Sequence, residues 1–113
     1  MFALLMGLRT ISPEALHQII GDERVTIVDV NAPQSWAANR VPGAIHLDPL
    51  AYAEEDLPAD KDAIVVFYCS NFMCRKAPNA GRRAKQMGYR DVRVMSAGIT
   101  GWLNAKLPAE SGM

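Results

Sequence analysis

Ala63-Ile64-Val65-Val66-Phe67-Tyr68 is an unbroken apolar run, without the alternation of a half-buried strand. β-Branched and aromatic side chains favour extended backbone, and a strand apolar at every position needs cover on both faces. Val25-Thr26-Ile27-Val28-Asp29-Val30 is a second, β-branched run that reads as a strand buried on both faces. Helix signals lie around these runs. Ser12 can cap a helix that begins at Pro13, with Ala15, Leu16, Ile19 and Ile20 on one face and a stop at Gly21. Pro33 to Ala38 predicts a short helix with Trp36 pointing inward, and residues 78–87 a longer one with Ala80, Ala84 and Met87 inside. Val92-Arg93-Val94-Met95 predicts another strand and residues 99–106 a final helix. Val41-Pro42-Gly43 reads as a turn leading to a short strand. The acidic stretch after it reads as a loop or irregular helix anchored by Leu50, Tyr52 and Leu57. Strands alternating with helices predict an α/β fold, a central, mainly parallel sheet flanked by helices on both faces. Ligands in such sheets bind beyond the carboxyl ends of the strands.

The chain has 113 residues, enough for one domain with one core and no need of cross-links. We expect a single domain over residues 1–113, with its core at about 10–109 and residues 1–9 as an N-terminal arm or strand. The apolar start, residues 1–8, is too short to span a bilayer and lacks the basic flank of a leader. Twelve basic and twelve acidic side chains cancel, which argues against a nucleic-acid-binding surface. The charges are segregated, however. Residues 48–62 carry six acids and one base, whereas residues 75–93 carry seven bases and one acid. Such blocks are either solvated faces or an anion-attracting field.

The basic block begins beside a cysteine. The apolar run delivers Cys69 to the loop Ser70-Asn71-Phe72-Met73-Cys74-Arg75, and a helix follows. Loop N–H groups can converge on one point there, and the helix presents its positive end. A thiolate at Cys69 would be stabilised, its pKa depressed and its nucleophilicity available at neutral pH. Arg75 and Lys76 would add positive charge at the rim, suiting an anionic substrate. Cys74, five positions on, is either a space-filling loop residue or a resolving thiol that attacks an oxidised or persulfidated Cys69. A bridge between the two would close a very short loop and add little stability. The expectation is a soluble, cytoplasmic protein with reduced thiols. One Cys-x4-Cys pair without a nearby histidine cannot complete a zinc site. His17 and His46 stand in no recognisable catalytic context. Trp36, Trp102 and Asp29 are assigned to structure, with Asp29 accepting local hydrogen bonds.

Five short segments, in order over about residues 10–109, resemble the single-domain rhodanese (sulfurtransferase) family. They are Thr26-Ile27-Val28-Asp29-Val30 with Pro33 and Trp36, Arg40-Val41-Pro42-Gly43-Ala44-Ile45, and Val66-Phe67-Tyr68-Cys69. Gly88-Tyr89 with the strand after it, and Ala97-Gly98-Ile99-Thr100-Gly101-Trp102 through Leu107-Pro108, complete the set. The resemblance implies that Cys69 takes a sulfane sulfur from a small anionic donor such as thiosulfate, becoming a persulfide. The sulfur then passes to cyanide or a protein thiol. It implies no metal or organic cofactor, no nucleic-acid partner and no membrane. Residues 70–75 would form the substrate-binding loop. The chain departs from the family at Asn31, where Arg is usual after Asp-Val, at Arg40, where His is common, and at Ser96-Ala97 in place of Glu-Gly. The loop after Cys69 is also longer than in the short-loop members, by about two residues as read against the family pattern. Cys69-x5-Arg75 matches a second pattern as well, that of cysteine phosphatases and arsenate reductases, in which Arg clamps an oxyanion. A third reading is a non-catalytic rhodanese-type binding module.

Overall fold

The computed structural model describes residues 8–112. Along the chain run β1 (Arg9–Thr10), α1 (Pro13–Ile19), β2 (Val25–Asp29), α2 (Pro33–Ala38) and β3 (Ile45–His46). A 3-10 turn at Glu54–Asp56 leads to β4 (Ile64–Tyr68), α3 (Lys76–Gln86), β5 (Asp91–Val94) and α4 (Gly98–Asn104). Among the described residues the strands form one sheet in the order β1-β5-β4-β2-β3, every pairing parallel. The sequence-predicted α/β fold is therefore the one observed. Most of the apolar start lies outside the described residues, but Leu8 is buried in the core and leads into β1.

β4 is central, and its alternation divides the interior. Val65 and Phe67 face a cluster with Val28, Val30, Ala77, Ala80 and Ala84, so α3 covers that side. Val66 and Tyr68 face Leu16, Ile27, Met95, Ile99 and Trp102, so α1 and α4 cover the other. Small residues let α3 lie close: a Cβ on Gly81 would stand 3.0 Å from Leu8 and 3.3 Å from Val92. Ser12 caps α1 as expected, its Oγ accepting from Ala15 N–H at 3.1 Å. α3 starts two residues before the predicted Pro78, at Lys76. Proline is tolerated there because the N–H groups of a helix's opening turn have no intrahelical acceptor to lose.

Two predicted anchors are corrected. Tyr52 and Leu57 are buried, but Leu50 is 81% exposed. Trp36 does not point into the core. It is half-buried, stacked on the His46 ring at 4.9 Å, with the Arg40 guanidinium 4.3 Å from its own ring centre. α2 buries no residue fully, so its tryptophan finds planar partners at the surface instead.

A buried polar network ties β2 to β4. Asp29 and Tyr68 are register partners on adjacent strands. Tyr68 donates its hydroxyl proton to Asp29 Oδ2 at 2.6 Å, Asn31 N–H donates to Asp29 Oδ1 at 2.8 Å, and Val41 N–H donates to the Tyr68 oxygen at 3.0 Å. The structural role expected of Asp29 takes this form. Burial raises the Asp29 carboxyl above its ordinary value, against the pull of those hydrogen bonds. A raised acid favours the folded state most when protonated. Its contribution is full below the ordinary carboxylate range and is lost as pH rises through the raised value. Replacing Tyr68 by Phe strands Val41 N–H and leaves Oδ2 of the carboxylate unpaired, with Asn31 N–H still on Oδ1. Denaturant titration of Tyr68→Phe near neutral pH is expected to show a loss of about 1–3 kcal/mol. The loss should shrink in acid, where protonation relieves the unpaired carboxylate. A penalty independent of pH would contradict this account.

Candidate active site

Cys69 follows β4 directly, and strand alternation turns its side chain to the face opposite Tyr68, toward α3. It is 3% exposed. Ala77 N–H, in the opening turn of α3, donates to Cys69 Sγ at 3.4 Å. The positive end of an eleven-residue helix thus meets the sulfur, which favours negative charge there.

The loop is anchored from its other side. Ile99 N–H donates to Cys69 O at 2.9 Å and Thr100 N–H to Ser70 O at 3.0 Å. This contact requires Gly98. Its φ is +67°, and a Cβ would stand 2.7 Å from Asn71 N and closer still to the Ser70 carbonyl. Sequence reading placed Gly98 only within a motif. Its role as a close-approach glycine depends on which loop it meets, and that is set by the parallel pairing of β4 with β5.

Loop residues 70–75 do not form the converging cradle expected. Met73 N–H donates to Asn71 Oδ1 at 2.9 Å and Cys74 N–H to Asn71 O at 3.1 Å, so both are spent inside the loop. This turn folds Cys74 back over the strand end, with 6.4 Å between the Cys69 and Cys74 Cα atoms, and the two are joined as a disulfide. The expectation of reduced thiols is corrected accordingly: the Asn71 turn brings the sulfurs together whatever a bridge adds to stability. Ser70 is half-buried, Cys74 half-buried against the core, and Asn71 and Arg75 are exposed. Phe72 and Met73 are exposed despite their apolar character. Phe72 lines a cleft of about 310 Å³ with Thr10, Pro13, Ser96 and Ala97. On the other flank, Lys76 lines a cleft of about 300 Å³ with Asn31, His46, Asp48 and Leu50. Asn31, standing where the family usually has Arg, has a buried Nδ2 with no hydrogen-bond partner. His17 packs edge-on against Trp102, and the His46 ring nitrogen meets Asn31 O at 2.7 Å.

The basic block does not converge on the loop either. Arg90 pairs with Asp62 at 2.5 Å, Arg93 with Asp91 at 2.9 Å, and Lys61 with Glu54 at 2.6 Å. Arg83 donates to Tyr52 O at 2.6 Å. The Arg90–Asp62 pair joins the two segments beside the paired strands β4 and β5, while Lys61 and Arg93 are paired within their own segments. The charge nearest Cys69 comes from the start of α3.

Comparison with known proteins agrees with this arrangement. Residues 12–105 match the family described as Rhodanese-like domain. The chain is 32% identical over 105 residues to the thiosulfate sulfurtransferase GlpE of Pseudomonas putida, covering 91% of each. It is 36% identical over 90 residues to the HTH-type transcriptional regulator Rv0324 of Mycobacterium tuberculosis, covering 78% of this chain but only 38% of that protein. In fold it is similar to SseA of Escherichia coli, a 3-mercaptopyruvate sulfotransferase, with TM-score 0.77 and 19% identity over 93% of this chain and 51% of that one. A Rhodopseudomonas palustris protein described as a possible tyrosine phosphatase is similar as well, with TM-score 0.78 and 20% identity over 96% of this chain and 91% of that one. Sulfur-transferring and phosphatase-described proteins thus share the architecture, and the match over residues 12–105 shows that the chain belongs to the rhodanese-like domain family.

Proposed function

We propose that the protein is a sulfurtransferase that carries sulfane sulfur on Cys69. The observation that carries the reading is Cys69 itself, at the end of the central strand, with Ala77 N–H from the start of α3 directed at its sulfur. The likeness to GlpE supports thiosulfate as donor. The reaction begins from the open, reduced pair. Cys69 thiolate attacks the outer sulfur of thiosulfate, the S–S bond of the donor breaks, and sulfite leaves with that bond's electrons. The product is a Cys69 persulfide. Its outer sulfur then passes to an acceptor such as cyanide or a protein thiol, and Cys69 thiolate is regenerated. The Ala77 N–H and the helix end stabilise negative charge on the inner sulfur in both steps. The positive end of α3 beside Cys69 favours an anionic donor there. This chemistry suits a reducing, cytoplasmic setting that keeps Cys69 and Cys74 open. No described helix is long and apolar enough to cross a membrane.

The Cys69-x5-Arg75 spacing gives phosphate-ester chemistry weaker support, because the Met73 and Cys74 N–H groups are spent within the loop rather than aimed at an oxyanion.

Incubation of the reduced protein with thiosulfate is expected to release about one sulfite per chain as Cys69 takes the outer sulfur, a release absent in Cys69→Ser. If neither thiosulfate nor another sulfane donor modifies the protein, the reading is wrong. Hydrolysis of an aryl phosphate, lost in both Cys69→Ser and Arg75→Ala, would replace it with the phosphatase reading. Gly98→Ala tests the anchoring of the loop. Strain at positive φ and the clash with Ser70 and Asn71 are expected to lower stability by about 1–3 kcal/mol. Thiocyanate formation from thiosulfate and cyanide should fall with it, and a fully active, fully stable Gly98→Ala would show that the close approach is dispensable.

A further inference from the structure

We propose that Cys74 gives the protein a second activity, the release of hydrosulfide from the Cys69 persulfide with formation of the Cys69–Cys74 disulfide. This rests on the sulfurtransferase reading above and extends it to a different acceptor, one built into the chain. The pairing in the structure carries the inference: Cys74 Sγ is bonded to Cys69 Sγ, the inner sulfur of the persulfide. The loop that places it there is specified. Asn71 accepts from Met73 and Cys74 N–H to fold the turn, and Ile99 and Thr100 N–H hold the Cys69 and Ser70 carbonyls. Cys74 is half-buried and packs on the core, so it returns to the same place when the bond is opened.

The step balances without an external oxidant. Cys74 thiol loses its proton and attacks Cys69 Sγ. The bond between the inner and outer sulfurs breaks, and its electron pair leaves on the outer sulfur, which departs as hydrosulfide with that proton. The two cysteine sulfurs are oxidised to the disulfide, and the sulfane sulfur is reduced by two electrons. Hydrosulfide, the conjugate base of a stronger acid than an ordinary alkyl thiol, is a competent leaving group, and the Cys69–Cys74 pairing makes the inner sulfur the point of attack. A dithiol reductant, by two thiol–disulfide exchanges, reopens the pair for the next cycle. The sum is thiosulfate plus a dithiol giving sulfite, hydrogen sulfide and a cyclic or protein disulfide. Transfer to an external acceptor and release as sulfide therefore compete for one persulfide.

A single-turnover experiment separates this from the underlying reading. The protein is reduced with dithiothreitol, freed of reductant under argon, and given thiosulfate. Wild type is expected to release about one hydrosulfide per chain, lose both free thiols and show the mass of the disulfide rather than of a persulfide. Cys74→Ser should accumulate the persulfide and lose the hydrosulfide burst. Added dithiothreitol should then make wild type produce sulfide continuously. A wild-type persulfide that persists with the Cys74 thiol still free overturns the inference and leaves sulfurtransfer intact. Equal hydrosulfide release by wild type and Cys74→Ser also overturns it. If neither protein ever acquires sulfur, the sulfurtransferase reading fails and takes this one with it.

Discussion

The carbonyl groups at the end of β4 are the point on which the site depends. Inside a sheet each finds a neighbouring strand; past the end they would be buried and unpaired, which is costly. Here the ladder continues across the strand end. Met95 N–H serves Phe67 O, Val30 N–H serves Tyr68 O, then Ile99 and Thr100 N–H serve Cys69 O and Ser70 O. The opening turn of α4 thus acts as one more strand for two residues. It fixes the backbone that carries the sulfur, and Gly98 is the residue that lets it come near enough.

The same strand keeps two chemistries apart. Tyr68 and Cys69 are consecutive, so they point to opposite faces. On one face the Asp29 carboxylate is held by a tyrosine hydroxyl and a backbone amide. On the other, a polarisable sulfur meets only an amide at the helix start and a second cysteine. A negative carboxylate beside the sulfur would oppose a thiolate; one residue of alternation places it beyond the sheet.

The fold was legible because its determinants are local. An apolar run needs two covering layers wherever it occurs, and Ser12-Pro13 starts a helix in nearly any context. Cys69 at the end of such a run, before a helix, was also readable, since strand and helix signals bracket it. The misjudged features depend on partners remote in sequence. Leu50 looked like an anchor because it is apolar, but nothing packs over its turn. The two charge blocks looked opposed until Arg90 met Asp62 across 28 positions. The loop amides looked free until the Asn71 side chain claimed one of them. Spacing allowed Cys74 to reach Cys69; only the path of the turn brought it there.

Both tryptophans of the chain rest against histidine rings, but in unlike settings. Trp102 is wholly buried between α1 and the sheet, edge-on to His17, with its indole N–H bonded to Pro108 O. Trp36 stacks flat on His46, a residue of the cleft beside α3, and carries the Arg40 guanidinium against its ring. The molecule therefore carries two indole fluorophores in unlike surroundings. One emits from the packed interior and responds to global unfolding; the other is half-buried against an aromatic ring and a guanidinium and responds to the surface around α2.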